Sequence, residues 1–521
     1  MATSGSGGAQ QAGFARLSYW LLLLAITVSC LAAAAVTRQA AEPKQPTRYR
    51  FAPSTVMEMA QKLSERDYSV TRIPNESPLR QLSHAQFQMI RVNSDAAIWR
   101  NEQVPFRVEL LPAGFLFTLP VHVSIVESGM AHEIQAGPQT FTIDPSVQKL
   151  LGNTPMALSG LRLQTRLNSR SSWDEFVAFQ GASYFRAVPK EAQYGLSARG
   201  LALRTAHPMG EEFPEFTHFW VERPSANASG VVVHALLDSP STTGAFRFSI
   251  TPGVDTIMDV DMTLFPRVAL DNVGIAPLTS MFLFDESDRT RIDDFRDEVH
   301  DSDGLQLILA TGEHVFRTLR NPTQLQISSF TSQAPRAFGL VQRSRRLSDY
   351  HDLDARYEKR PSAWIEPTSE WGPGEIQLIE IPTDLETNDN IVAMWKPKEV
   401  IQPRKPWHTS YRLRWTDTPR VLPRLGRVTS TRTGPSPDGK RRRFIVEFVG
   451  AGRETEGLKL DVGTSTGRLS NLALRPNRLT KGIRAIFELT PGEASLAELR
   501  MRVLKGDKPV TETWLYRWTA S

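Results

Sequence analysis

Two acidic clusters stand about ninety residues apart: Glu298-Val-His-Asp301-Ser-Asp303-Gly304 and Glu386-Thr-Asn-Asp389-Asn390. Each lies in a polar loop beside an apolar, strand-like run, Leu305 to Ala310 after the first and Ile391 to Trp395 after the second. Carboxylates brought together from two loops on a rigid sheet suit glycosidic bond cleavage. One carboxyl stays protonated to feed the leaving oxygen, and the other helps water attack. A general acid at neutral pH needs a raised pKa, through burial or a neighbouring negative charge. Glu386, three residues before Asp389, is placed to supply that charge. The structural alternative is that these acids cap turns, since Asp and Asn routinely accept loop backbone amides. Spacing alone favours turn capping, because short Asp/Asn loops are common. Asp301-Ser-Asp303 also has the alternating oxygens that suit calcium, but the run is too short to supply six ligands unaided. His300 has no His-Glu-x-x-His pattern and no cysteine beside it, and reads as a hydrogen-bonded loop residue rather than a zinc ligand. Neither a metal nor an organic cofactor is expected.

The elements that must position these loops read as strands. Phe106 to Leu111, Val121 to Val126, Val231 to Leu237 and Phe246 to Ile250 alternate with period two. The 35 Pro and 33 Gly are scattered, which implies many turns and short strands. Helical periods are scarce. Ser54 is expected to cap a helix reaching about Arg66, with Val56, Met59, Ala60 and Leu63 on one face, and Asp144 to Leu151 reads as a second short helix. The expected fold class is mainly β: a large N-terminal antiparallel β-sandwich over residues 42–397 and a smaller C-terminal immunoglobulin-like sandwich over 409–521. A Lys/Pro/Gln-rich linker at 398–408 separates them. Tyr411 to Trp415, Arg443 to Val449 and Trp514 to Trp518 supply alternating runs for the smaller domain.

Residues 1–41 read as a targeting segment. Arg16 precedes an apolar run, Leu17 to Val36, which has the shape of a secretory signal and is long enough to be retained as an anchor. Cys30 is the single cysteine, so removal of the signal leaves no disulfide and no thiolate chemistry. The net charge of +5 is unevenly spread. Residues 404–521 hold 24 Lys+Arg against 11 Asp+Glu, and the remainder holds 37 against 45. A basic C-terminal domain is either a solvated surface or a face for anionic lipid headgroups or an anionic polymer. No nucleic-acid motif appears.

Several blocks together resemble a known family. They include Phe176-Val-Ala-Phe-Gln-Gly-Ala-Ser-Tyr-Phe-Arg186, Tyr194-Gly-Leu-Ser-Ala-Arg-Gly200, Gly210-Glu-Glu-Phe-Pro214, Gly274 to Phe282, Glu298 to Leu305, Arg360-Pro-Ser-Ala-Trp364 and Glu380 through Trp395. In that order they resemble the periplasmic glucan biosynthesis proteins G and D, from about Tyr49 to the end of the chain. The resemblance implies a periplasmic location, β-1,2-glucan as ligand, and a likeness to inverting endo-β-1,2-glucanases. It places Asp389 as general acid and Asp301 as general base, the latter acting through further waters. Glu386 and Asp303 are carried as acidic substrate-binding residues, and Tyr357 as an aromatic at the substrate site. Two blocks depart from the family pattern: His314-Val-Phe-Arg-Thr-Leu319 and His84-Ala-Gln-Phe87-Gln88. They leave the acid and base untouched and bear on subsite affinity.

Sugar binding uses flat faces with a few placed polar groups. Tyr184, Phe185, Arg186, Trp220, Tyr357, Trp364, Trp371 and Trp395 are the candidates. Each aromatic has a core alternative, because Trp and Tyr in large sandwiches are usually well buried. Tyr184 and Tyr357, in polar stretches, are the preferred exceptions. Two function classes follow. One is an inverting hydrolase that trims or releases nascent glucan. The other is a non-catalytic protein that grips glucan and docks on a membrane glucan synthase, or on an anionic membrane surface, through the basic domain.

Overall fold

The computed structural model describes residues 48–137, 139–289, 292–419, 425–452 and 454–520. The targeting segment expected at 1–41 lies outside them. Strands dominate, and they build two large sheets whose apolar faces meet.

The first sheet runs in the order Arg48–Arg50, Met130–Ile134, His122–Glu127, Glu215–Glu222, Val231–Asp238, Thr242–Thr251, Thr256–Pro266, Trp407–Thr416, Ser362–Pro367, Ala337–Val341, Gly304–Ile308, His314–Thr318, Thr513–Thr519, Leu496–Lys505 and Leu458–Thr464. The second runs Gln326–Ser332, Gly374–Glu380, Ile391–Pro397, Val273–Ser280, Ser197–Arg199, Tyr184–Ala187, Asp174–Gln180, Leu158–Thr165 and Arg107–Pro112. Pairing is antiparallel with two parallel exceptions in the first sheet, His122–Glu127 on Glu215–Glu222 and His314–Thr318 on Thr513–Thr519. Alternate residues of both sheets share one core, in which Phe179 of the second sheet meets Phe248 of the first edge-on at 5.1 Å. This is the expected sandwich.

Arg427–Pro435, Arg442–Val449, Gly482–Thr490 and Arg468–Asn477 form a separate four-stranded sheet. It shares a core with the last strands of the first sheet, in which Phe444 and Phe487 stack at 5.1 Å beside Trp514. Four strands over three is the layering expected for the immunoglobulin-like part. One strand is placed differently. Trp407–Thr416, whose Tyr411 to Trp415 run was assigned to 409–521, pairs with Thr256–Pro266 on one side and Ser362–Pro367 on the other. Its Tyr411, Leu413 and Trp415 are buried in the larger core. Alternation marks a strand with one buried face and says nothing of which sheet it joins.

The first helix spans Pro53–Ser64, and its cap is Ala52 rather than Ser54. Pro53 takes the first helical position, where its fixed φ suits the helix and its missing N–H costs nothing. Val56 and Ala60 are buried, with Met59 and Leu63 packed beside them, as the spacing implies. Pro145–Leu151 is the second helix expected, with Asp144 accepting from the Ser146 amide at 2.9 Å. No helix among the described residues is long and apolar enough to cross a membrane.

Candidate active site

The two acidic loops meet at the end of Val273–Ser280, a central strand of the second sheet. Ser280 is in register with Ile391, so the chain beyond Ser280 runs beside Asp389 and Asn390. Asn390, buried at 1% exposure, closes the gap with its side-chain amide. Its Oδ1 accepts from the Phe282 amide at 2.8 Å, and its Nδ2 donates to the Phe282 carbonyl at 3.0 Å and the Ile381 carbonyl at 3.1 Å. Phe282 in turn pairs with His300, and the Asp301 amide donates to the Met281 carbonyl at 2.8 Å. The segment from Ser280 to Phe284 is therefore the common spine of both loops.

The side chains follow. Asp301 is 4% exposed and ion-paired to Arg360. Burial pushes its carboxyl up, Arg360 pulls it back, and the charge of Asp389 raises it further. Asp389 keeps 29% of its side chain exposed and faces Arg186 Nη2 at 3.8 Å. Its carboxyl is also raised by burial, against the pull of Arg186, Arg199 and Arg360. The source of that rise differs from the one the sequence offered. Glu386 pairs with Arg296 at 2.8 Å, and burial, not Glu386, lifts Asp389. A carboxylate that spends its charge on a guanidinium has little field left for a neighbour.

Arg186 and Tyr184 leave the strand Tyr184–Ala187 two residues apart, on one face. Arg186 is fixed by Ser197 Oγ at 2.6 Å. Tyr184 is half-buried, with the Arg199 guanidinium 4.8 Å from its ring. Tyr357 is 2% exposed, covered by Arg360 at 4.1 Å and packed on Tyr350 at 5.6 Å. Burial lifts its hydroxyl to about 12. Its ring therefore supports Arg360 and offers no open face. Phe185, Trp220, Trp364, Trp371 and Trp395 are all core residues.

Asp303 goes elsewhere. It accepts from the backbone amides of Arg343 and Ser344 and from the Ser344 hydroxyl at 3.1 Å. Asp301 and Asp303 thus serve different partners and do not share a ligand set. Glu298, His300 and Asp303 offer ligand atoms within 4.8 Å of one another. Both His300 nitrogens are already engaged, Nδ1 with Gln342 Oε1 at 3.0 Å and Nε2 with Glu298 at 3.2 Å. Gln342 donates its Nε2 to the His300 and Tyr357 carbonyls, so its Oε1 must accept from His300 Nδ1. Burial opposes a charge on His300, yet Asp303, Glu298 and Asp285 outweigh it and bring its pKa to about 9. The group is an imidazolium held among carboxylates, a rigid base under the Asp301 loop.

Asn390, Gln342, Arg199 and Arg360 were not picked out by sequence reading. Arg199, Arg360 and Asn390 fall inside the resembling blocks, but no spacing rule marks a buried amide that bridges two distant backbones.

The family described as "Periplasmic glucan biosynthesis protein, MdoG" matches residues 51–518. The chain belongs to that family. A relative named glucans biosynthesis protein G from Shewanella sp. (strain W3-18-1) is 46% identical over 473 residues, covering 90% of this chain and 87% of the relative. One of the same name from Vibrio cholerae serotype O1 (strain ATCC 39541 / Classical Ogawa 395 / O395) is 43% identical over 489 residues, 92% of this chain and 90% of the relative. Membership in the MdoG family puts the protein in glucan biosynthesis, and the family's own description places it in the periplasm.

Proposed function

We propose that the protein binds β-1,2-glucan against the open side of Asp389 and cleaves it within the chain, with inversion. Asp389 gives its proton to the leaving glycosidic oxygen as the bond from the anomeric carbon breaks. Water forms the new bond on the opposite face, and its proton passes through intervening water to Asp301. Exchange with solvent restores both carboxyls. The observation that carries this reading is that two acid-bearing loops about ninety residues apart meet along Ser280 to Phe284, with Arg186 and Arg360 acting on both Asp301 and Asp389. Asp389 has the more open side chain, as a group that must reach the leaving oxygen requires. The linkage and the stereochemistry rest on the family resemblance.

In this reading the protein is exported by its N-terminal segment and trims or releases glucan as a membrane synthase delivers it. The basic residues of 404–521 face that synthase or the anionic membrane surface. A second reading, glucan binding without cleavage, is favoured by one observation: Arg360 already occupies Asp301. The test is incubation of purified protein with linear β-1,2-glucan, followed by a reducing-end assay. Asp389→Asn is expected to retain binding and lose cleavage. Cleavage by that variant at the wild-type rate would show that Asp389 is not the acid.

A further inference from the structure

Most phenylalanines among the described residues are buried or half-buried. Among the described residues, only Phe213, 48% exposed, and Phe295, 79% exposed, present an open aromatic ring. Single exposed apolar side chains are ordinary. What is not ordinary is where these two lean. The Phe213 ring centroid lies 5.6 Å from the guanidinium carbon of Arg199, which also covers Tyr184 and acts on Asp389. The Phe295 centroid lies 5.7 Å from the guanidinium carbon of Arg296, which holds Glu386 of the Asp389 loop at 2.8 Å.

Both arginines are clamped. Arg199 donates to Thr279 Oγ1 at 2.8 Å and to Glu211 at 2.7 Å. Arg296 pairs with Asp294 at 2.8 Å and Asp352 at 3.0 Å as well as with Glu386. Each phenylalanine therefore rests on a fixed cation with much of its ring still open to solvent. Ordering costs are low for a ring that is already braced. Pyranose rings present C–H faces that lie flat on such surfaces, while neighbouring Arg and Glu side chains take the hydroxyls.

We propose that Phe213 and Phe295 are two sugar-stacking platforms that receive rings of the glucan near the Asp389 carboxyl, one resting on Arg199 and the other on Arg296. This rests on the glucan reading and deepens it. Two platforms on different arginines hold more than one sugar of a chain, so the protein acts on long segments and poorly on short ones.

The test uses the full chain with linear β-1,2-glucan, long and short, comparing wild type with Phe213→Ala, Phe295→Ala and both Phe→Trp changes. Each Ala change is expected to raise KM for the long glucan about tenfold, with kcat little altered, as loss of one stacking contact implies. The double Ala change should approach the product of the two single effects, because the rings share no partner. Each Trp change should keep KM near the wild-type value. Titration calorimetry of the same variants reads binding without turnover. Unchanged KM and unchanged affinity in both Ala variants would remove the platforms and leave the acid–base reading standing. A wild-type protein with no affinity for the glucan would remove both.

Discussion

Asn390→Leu tests whether a single buried amide joins the two acidic loops. Leucine fills nearly the same volume but makes no hydrogen bond. Three bonds are lost: the Phe282 amide loses its acceptor, and the Phe282 and Ile381 carbonyls each lose a donor. Leaving a buried amide unpaired costs roughly 1–3 kcal/mol, and each lost carbonyl bond about 0.5–1.5 kcal/mol. The sum is roughly 2–6 kcal/mol. It acts locally, so hydrogen exchange is the suitable assay. The Phe282 amide should exchange faster by roughly thirtyfold to about twenty thousandfold, at about tenfold per 1.4 kcal/mol. Misplacement of Asp389 relative to Asp301 by about 1 Å should lower kcat roughly a hundredfold. Asn390→Asp sharpens the test. Its carboxylate still accepts from the Phe282 amide but faces the two carbonyls without a donor, so the Phe282 amide stays protected while activity falls. Unchanged exchange at Phe282 in Asn390→Leu, with kcat within about twofold of wild type, would refute the claim that this amide couples the loops.

Arg186→Gln removes the largest charge holding the Asp389 carboxyl down. The alkaline limb of kcat/KM, set by loss of the acid's proton, should move to higher pH, and the acidic limb should move less because Arg186 is the smallest influence named for Asp301. For stability the sign is the reverse of an ordinary salt-bridged carboxylate. Both carboxyls are raised in the fold, so they favour it while protonated and lose that contribution as pH rises through their folded pKa. Urea titrations of wild type against Asp301→Asn should therefore diverge on the alkaline side of that range. Arg317→Leu removes the guanidinium that pairs at 3.0 Å with fully buried Glu380, leaving that carboxylate the Arg320 amide at 2.8 Å. A loss of roughly 3–5 kcal/mol is expected by denaturant titration, and the double change Arg317→Leu with Glu380→Leu should recover much of it.

What was legible in the chain follows from what local chemistry can encode. Period-two alternation marks strands because side chains point to opposite faces, and Arg443 to Val449 and Val231 to Leu237 are strands as expected. The same pattern cannot name the neighbouring strand, which is why Tyr411 to Trp415 reads as part of 409–521 although it pairs with strands of the larger domain. Asp301 and Asp389 were visible as acids in loops beside strands. Their environment was not, because the burial and the arginines that set their pKa come from segments 186–199 and 360. Asp303 and Tyr357 sit in equally polar stretches, yet one caps the Arg343–Ser344 turn and the other is roofed by Arg360. Polarity of a stretch reports solvent near the backbone and not the direction of one ring or carboxyl. Phe213 and Phe295 carry no local mark at all, since an isolated Phe in a polar run reads equally as a core anchor.

The most direct measurement follows the anomeric proton of the first product by NMR as wild-type protein acts on linear β-1,2-glucan. The account predicts that the new reducing end appears first as the α-anomer and then mutarotates, while Asp389→Asn binds the chain and releases nothing. A new end that appears first as the β-anomer, or a wild-type protein that binds the glucan without ever cutting it, would contradict the assignment of Asp389 and Asp301 as an inverting pair.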